Sequence, residues 1–288
     1  MKSFNRFFLF SFFILAFFGC KEKQETSTKG YTKCYADESL FNVIQEERDL
    51  FVELYKQSKI DLVKVSAREG IAAVLNGETK MFVSSRNLNQ EETDFVKKTN
   101  SGLKIFKFCY DGVTLIVNPS LNLENLTVDR LKEFLLGQKR IYKIVIPERN
   151  SGIYEYVKVD LLQKREPVNV VVVKNENEVI EKIKKEKNVI GIVGFNTLKD
   201  VKGIKIVKVG TEEKSILGSP YHEPSAGSLI NGAYPLVRTN YILLNEFGLG
   251  VASGFTTFLT SYPGQKIVSK HNLGPATVPV RLVQLNQR

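Results

Sequence analysis

Histidine is scarce in this sequence: 288 residues hold two, His222 and His271, and three cysteines, Cys20, Cys34 and Cys109. The nucleophile-elbow pattern is missing, and no Cys/His cluster has metal-ligand spacing. A histidine between Tyr221 and Glu223 is more often a surface or packed residue than a general base. Catalysis is therefore not expected, and neither is a metal or other cofactor. Cys34 and Cys109 lack the spacing of a disulfide framework and read as buried free thiols. The one long apolar run, residues 7–18, falls short of the roughly 20 residues that span a bilayer as a helix. No repeat or low-complexity tract interrupts the chain. Lysine and arginine outnumber aspartate and glutamate by 41 to 31, a formal net charge of +10. The lysines are scattered and no basic helix stands out, which speaks against nucleic acid and suits an anionic ligand or a membrane surface.

What is present begins with the N-terminus. Lys2 and Arg6 precede the apolar run, which stops at Gly19 and Cys20, so residues 1–19 read as an export signal. A small residue directly before a cysteine at the end of such a run resembles the lipobox of bacterial lipoproteins. That resemblance implies that Cys20 is the acylated first residue of the mature chain and ties it to a membrane. Residues 21–30 contain nothing apolar, so 20–30 read as the lipidated cysteine and a flexible tether. The remaining chain from Tyr31, about 258 residues, is enough for one large or two medium domains.

Short β-branched runs then alternate with amphipathic helices. Strands are expected at 31–36, 60–65, 80–84, 103–109, 113–118, 142–146, 168–174, 189–195, 204–209 and 241–245. Ser66 with Glu69, and Asn89 with Glu92, have capping-box spacing. Thr127 is placed to cap a helix that Gly137 closes. Such alternation predicts an α/β fold with largely parallel sheets, and ten strands are more plausible in two sheets than in one. Asp111 and Gly112 break the apolar pattern, and 225–232 is rich in Gly and Ser. Taken as crossing points, they predict a first lobe of 31–112 with 218–288 and a second of 113–217. A ligand cleft between lobes joined by hinge strands follows.

Six segments occur in one order: FVSSRNL at 82–88 with Glu91 and Glu92, DGVTLIVNP at 111–119, residues 126–137, VIGIVGF at 189–195, AYPLVR at 233–238 and FLTSYPGQKIV at 258–268. In these the chain resembles the substrate-binding proteins of bacterial phosphate ABC transporters, within the periplasmic binding protein superfamily. The resemblance implies two lobes, an anion held between them, an ABC transporter permease as partner and no catalytic role.

The residues themselves suggest donors for that anion, since helix starts offer unpaired amides and positive dipole ends. Ser39, with the amide of Leu40, opens a helix after the first strand, and Ser66 occupies the same place after the second; each also reads as a plain N-cap. In the family an arginine followed shortly by Ser-Gly-Thr grips phosphate. Here Arg149 precedes Ser151 and Gly152, and Ile153 stands at the threonine position, so one hydroxyl is missing. Some family members carry an aspartate near Arg86, accepting the proton of hydrogen phosphate. This chain has Ser85 and Arg86, and Arg86 is also placed to pair with Glu91 or Glu92. A folded monomer is expected. The rival reading keeps the fold in a surface lipoprotein that acts as sensor or adhesin.

The anchoring expectation has a direct check. Cys20→Ser should abolish acyl attachment, because the thioether forms at that sulfur. Continued palmitate labelling of the variant would refute it.

Overall fold

The structure, a computed structural model, describes residues 25–211 and 220–277. The expected export signal and Cys20 lie outside the described residues. The elements in order are β1 (Lys29–Asp37), α1 (Phe41–Leu54), β2 (Gln57–Val65), α2 (Ala67–Leu75), β3 (Met81–Ser84), α3 (Gln90–Thr99), β4 (Lys104–Val117), β5 (Asn125–Thr127), α4 (Val128–Leu135), β6 (Lys143–Pro147) and α5 (Gly152–Tyr156). A π-helical turn (Val157–Leu161) follows, then β7 (Val170–Val173), α6 (Glu176–Lys185), β8 (Val189–Gly194), β9 (Lys205–Gly210), β10 (Tyr221–His222), α7 (Ala226–Ile230), β11 (Val237–Leu244), α8 (Val251–Thr260), α9 (Tyr262–Lys270) and β12 (Gly274–Pro275).

The fold is α/β and two-lobed. The first sheet runs β2-β1-β3-β11-β4, with β1, β2 and β3 parallel and β11 antiparallel to both of its neighbours. The second contains β4-β8-β6-β7, with β9 also beside β4. Strand β4 belongs to both. Its first half pairs with β11 as far as Gly112, and from Val113 it pairs with β8. Each sheet is covered by helices. Beneath the first, Phe51 packs tilted against Phe255 and edge-on against Phe258, and those two rings stack on each other, while Leu131, Phe134, Ile153 and Tyr154 fill the second core.

Every expected strand has a counterpart, and the differences have physical causes. Lys29 and Gly30, read as tether, already pair with Gln57 and Ser58 of β2, because a backbone ladder needs no apolar side chain. The runs at 103–109 and 113–118 form one continuous strand. Asp111 does not interrupt it, since its buried carboxylate is paired with Arg238 and accepts from the Gly112 amide at 2.9 Å. The loop expected at 225–232 holds a short helix, α7, whose start is closed by a reciprocal Ser225–Ser228 capping box. Nor does the chain return to the first lobe at 218: Leu229, Tyr234 and Leu236 are buried in the second core, and the return comes where Val237 pairs with Gly112. Apolar burial outweighs loop composition there.

Local signals hold at Asn89, Thr127 and Gly137, whereas at Ser66 only the serine's half of the expected box is formed. Asn89 and Glu92 form a complete capping box, Thr127 caps α4, and Gly137 is left-handed at φ 72°. Ser66 accepts from the Glu69 amide at 3.4 Å. Cys34 and Cys109 are free and buried, and burial pushes the Cys34 thiol up to about 12.

Glu47 breaks the pattern of α1. It is fully buried, and among the described residues neither of its carboxylate oxygens has a hydrogen-bond partner. Burial, with Glu46 adding, pushes its carboxyl up to about 9, against about 4.3 unfolded. Between those values the folded chain holds a proton that the unfolded chain releases, so stability falls as pH rises. Glu47→Met should therefore stabilise the protein at pH 7, with a gain that widens between about pH 4.5 and 9 in urea titrations. A gain independent of pH would refute the assignment.

Candidate functional site

The ends of β1 and β3 lie side by side, with Ala36 opposite Val83. This brings Asp37 at the end of β1 next to Ser85, one residue past β3. Asp37 Oδ1 accepts from the Ser39 amide at 3.1 Å and the Ser39 hydroxyl at 2.6 Å, and Oδ2 accepts from Ser85 Oγ at 2.8 Å. Ser39 thus sits in a 3-10 turn (Glu38–Leu40) fastened by Asp37 rather than at the first turn of α1 itself.

Arg238 reaches the same point from β11, where it is in register with Asp111 on β4. Its Nε and Nη2 donate to Asp111 Oδ2 at 3.1 and 2.6 Å, and Nη2 donates to Ser39 Oγ at 2.8 Å. The residue is 4% exposed, and its Nη1 is buried without a hydrogen-bond partner among the described residues.

The second lobe contributes backbone. A Cβ at Gly152 would collide with Ser85 Oγ and lie 3.3 Å from Arg238 Nη1. A Cβ at Gly194, the last residue of β8, would lie 2.6 Å from Arg238 Nη2 and 3.2 Å from Ser39 Cβ. Glycine at both positions lets main chain from one lobe touch side chains of the other. Hydrogen bonds also bridge the lobes, among them Asn196 Nδ2 donating to the Ser39 carbonyl at 2.8 Å, the Arg68 amide donating to the Asn150 carbonyl at 3.2 Å, and a 3.0 Å bond between His271 Nδ1 and Asn196 Oδ1.

The surroundings are acidic. Glu176, at the start of α6, accepts from the Gly194 amide at 2.8 Å and from Thr197 Oγ1 at 2.6 Å. Burial pushes its carboxyl up to about 7 against the opposing pull of Arg238. Glu38 is pushed up to about 8 by burial, with Glu176 and Asp37 adding. Both can therefore hold a proton near neutral pH and donate it in a hydrogen bond.

Of the sequence-predicted residues, the structure brings Ser39, Ser85 and Gly152 together. Ser151 is buried beside them, with its hydroxyl accepting from the Tyr154 amide at 3.1 Å. The side chains of Leu40 and Ile153 are buried in the first and second cores. Ser66 caps α2 and is half-buried. Arg86 pairs with Glu92 through two bonds of 2.7 Å. Arg149 is exposed, and its charge acts on Tyr154 and Glu166. Sequence reasoning passed over Asp37, Glu176 and Arg238. A charged residue inside each of two apolar strand runs, Asp111 and Arg238, was the available signal for a buried pair. Beside the cluster opens a cavity of about 380 Å³, lined in part by Ser85, Arg86, Tyr156, Asp160 and Arg238. The π turn helps to line it, placing Val159 and Asp160 on the wall that Tyr156 begins.

Residues 21–262 match the model of a PBP superfamily domain. The chain belongs to the PBP superfamily. The Phosphate-binding protein PstS of Staphylococcus epidermidis is 24% identical over 256 residues, covering 82% of this chain and 76% of the relative. The one from Borreliella burgdorferi is 28% identical over 222 residues, covering 70% of this chain and 74% of its own length. Among solved structures, an inferred phosphate ABC transporter substrate-binding protein of Clostridium perfringens with bound phosphate superposes at TM-score 0.73 and 20% identity, covering 86% of this chain and 100% of that one. An ABC-type phosphate transport receptor from Vibrio cholerae superposes at TM-score 0.66 and 17% identity, with 86% and 100% covered. These two support the superfamily fold. The superfamily assignment is that of a binding protein rather than of an enzyme family.

Because Asp111 pairs with no other cation among the described residues, truncating its partner should be costly. Arg238→Met should destabilise the protein by about 3–5 kcal/mol, the loss typical of a buried charge left unpaired. Adding Asp111→Asn should restore part of it in urea unfolding. Equal losses in the single and double variants would show that the pair is not coupled.

Proposed function

We propose that this protein is an exported solute receptor, held to the membrane by an acyl group on Cys20, that closes its lobes on phosphate or a related tetrahedral oxyanion and delivers it to an ABC transporter permease. The observation that carries the reading is the buried Arg238 guanidinium. Its Nη1 lacks a partner among the described residues, beside Ser85 and the Gly152 backbone, at the junction of two lobes whose relatives are phosphate-binding proteins. A buried unpaired N–H is costly, and an oxyanion oxygen would satisfy it with a charge-assisted bond.

The anion seat in this reading comprises the hydroxyls of Ser39 and Ser85, the start of α5 at Ser151, Gly152 and Ile153, the Leu40 amide and Arg238. Ser39 and Ser85 now donate to Asp37. Turning both hydroxyls to the anion leaves Asp37 able to accept the proton of hydrogen phosphate. Sulfate has no such proton and would face a bare carboxylate. Asp37 thus supplies, from β1, the acceptor that Ser85 and Arg86 do not. Protonated Glu38 and Glu176 lower the charge that the anion meets. The lobes move about the crossing of β4 and β11, as hinge closure requires. No step makes or breaks a covalent bond, so the role is capture rather than catalysis.

Calorimetric titration of the purified chain tests this reading. The parent should bind phosphate in preference to sulfate, and Asp37→Asn should narrow that preference by about tenfold or more, about 1.4 kcal/mol per tenfold. Gly152→Val should abolish binding, because its side chain would fill the contact with Ser85, while Arg149→Ala should leave binding nearly unchanged. The opposite order would move the anion to the outer side of α5. Absence of binding to any oxyanion would favour the sensor or adhesin role.

A further inference from the structure

We propose that the end of the first lobe remote from the cleft is a membrane-docking surface, in which Phe247 and Leu249 enter the interface of an anionic lipid bilayer. The proposal rests on the acylation of Cys20 put forward above. In the loop between β11 and α8 these two side chains are 85% and 76% exposed. Gly248 separates them at φ +81°, with nothing within 4 Å of a Cβ placed there. The tip is apolar, but its base is rigid. Glu246 is 7% exposed, accepts from the Ser253 amide and hydroxyl at 2.7 Å, and pairs with Lys80 at 3.2 Å. Asn245 is held by the Lys80 carbonyl at 2.8 Å and the Val74 carbonyl at 3.2 Å.

The N-terminal end of the described chain arrives at the same place. Glu25 pairs with Lys80 at 3.4 Å, so one lysine joins Glu25 to Glu246 at the base of the apolar tip. Ser27 packs its carbonyl against Gly254 of α8. Four residues lie between Cys20 and Glu25, so the five steps reach about 17 Å even when fully extended. An acyl group on Cys20 therefore holds this end of the lobe, rather than the cleft, against the lipid.

Charge at this end suits anionic headgroups. Strands β1, β2, β3 and β4 all start there, because β11 is antiparallel to both β3 and β4. Exposed lysines stand at each start: Lys29, Lys56, Lys80 and Lys104. Glu25 and Glu246 share Lys80, and the exposed acids Glu53 and Glu78 stand against Lys29, Lys56 and Lys104 and against Lys97 and Lys98 in the last turn of α3, beside the tip, so cations outnumber acids at this end by two. An apolar tip ringed by lysines is the composition of an interfacial anchor.

The sequence contains no tryptophan, so Phe247→Trp creates a single fluorescent reporter. Ile141→Trp places a control on an exposed residue before β6, at the far end of the second lobe. The full mature chain, with its acyl group verified by mass, is reconstituted in phosphatidylcholine–phosphatidylglycerol vesicles whose acyl chains are brominated. The indole of the Phe247→Trp protein should shift to the blue and be quenched, and that of the Ile141→Trp control should do neither. With Phe247 retained, Leu249→Ser together with Lys104→Glu should weaken the attachment of protein stripped of its lipid by at least tenfold in vesicle co-sedimentation. Acylated Phe247→Trp protein whose indole stays unquenched overturns the docking surface and favours a protein partner for the tip, while leaving the anchor intact. If no acyl group is found, the anchor reading fails by itself. Quenching of the same reporter by added anionic vesicles would then still support the surface, and its absence would overturn both.

Discussion

The ion pair between Asp111 and Arg238 lies where the chain crosses from one sheet to the other, and the rest of the site is arranged around it. Each partner alone would be a buried charge with a desolvation cost of several kcal/mol. Together, in register on neighbouring strands, they allow β4 to pass through the junction without a break. The same guanidinium donates to Ser39 from the first lobe and abuts Gly152 and Gly194 from the second. A side chain that lies on the crossing strand and touches both lobes makes the electrostatics of the junction sensitive to whether they are together.

Charge is distributed against the trend of the composition. The chain is strongly basic, yet its junction gathers Asp37, Asp111 and Glu176 around one arginine, with Glu38 close to Asp37 and Glu176. Net charge and surface lysines set long-range attraction for anions and anionic surfaces, but they do not set what happens on contact. At contact, hydroxyl and carboxyl donors count individually. Burial raises the proton affinity of Glu38 and Glu176, turning two potential repellers into hydrogen-bond donors near neutral pH. In the proposed seat these protonated acids lower the charge that the anion meets, and the Asp37 carboxylate is the group left to accept a proton from it.

The two ends of the first lobe divide the work in the proposed arrangement. Strands β1 to β3 begin at the lysine-bearing end and finish at Asp37, Ser66 and Ser85, because parallel strands place all their starts on one side and all their finishes on the other. Ligand chemistry collects at the finishing side and surface attachment at the starting side, about one strand length apart. The loop carrying Phe247 belongs to the starting side because β11, being antiparallel, ends there.

Much of the fold was legible in one sequence because strand and helix periodicities are local. The ten apolar runs, the Asn89–Glu92 capping box and the Gly137 helix stop depend on residues within a few positions of one another, and each has its counterpart in the structure. The pairing of Arg86 with Glu92 was legible for the same reason. What needed the tertiary structure was every relation between distant segments. The chain returns at Val237 rather than at 218 because Leu229, Tyr234 and Leu236 find the second core, which no local pattern announces. Arg238 reaches Asp111 across 127 positions, whereas Arg149, which looked better placed from its neighbours, faces Tyr154 and Glu166. The sequence by itself determined most of the elements, their order and several caps through short-range sterics and hydrogen bonding. Only packing decided which charges share the junction, because that depends on strand register, and register is a property of two segments at once.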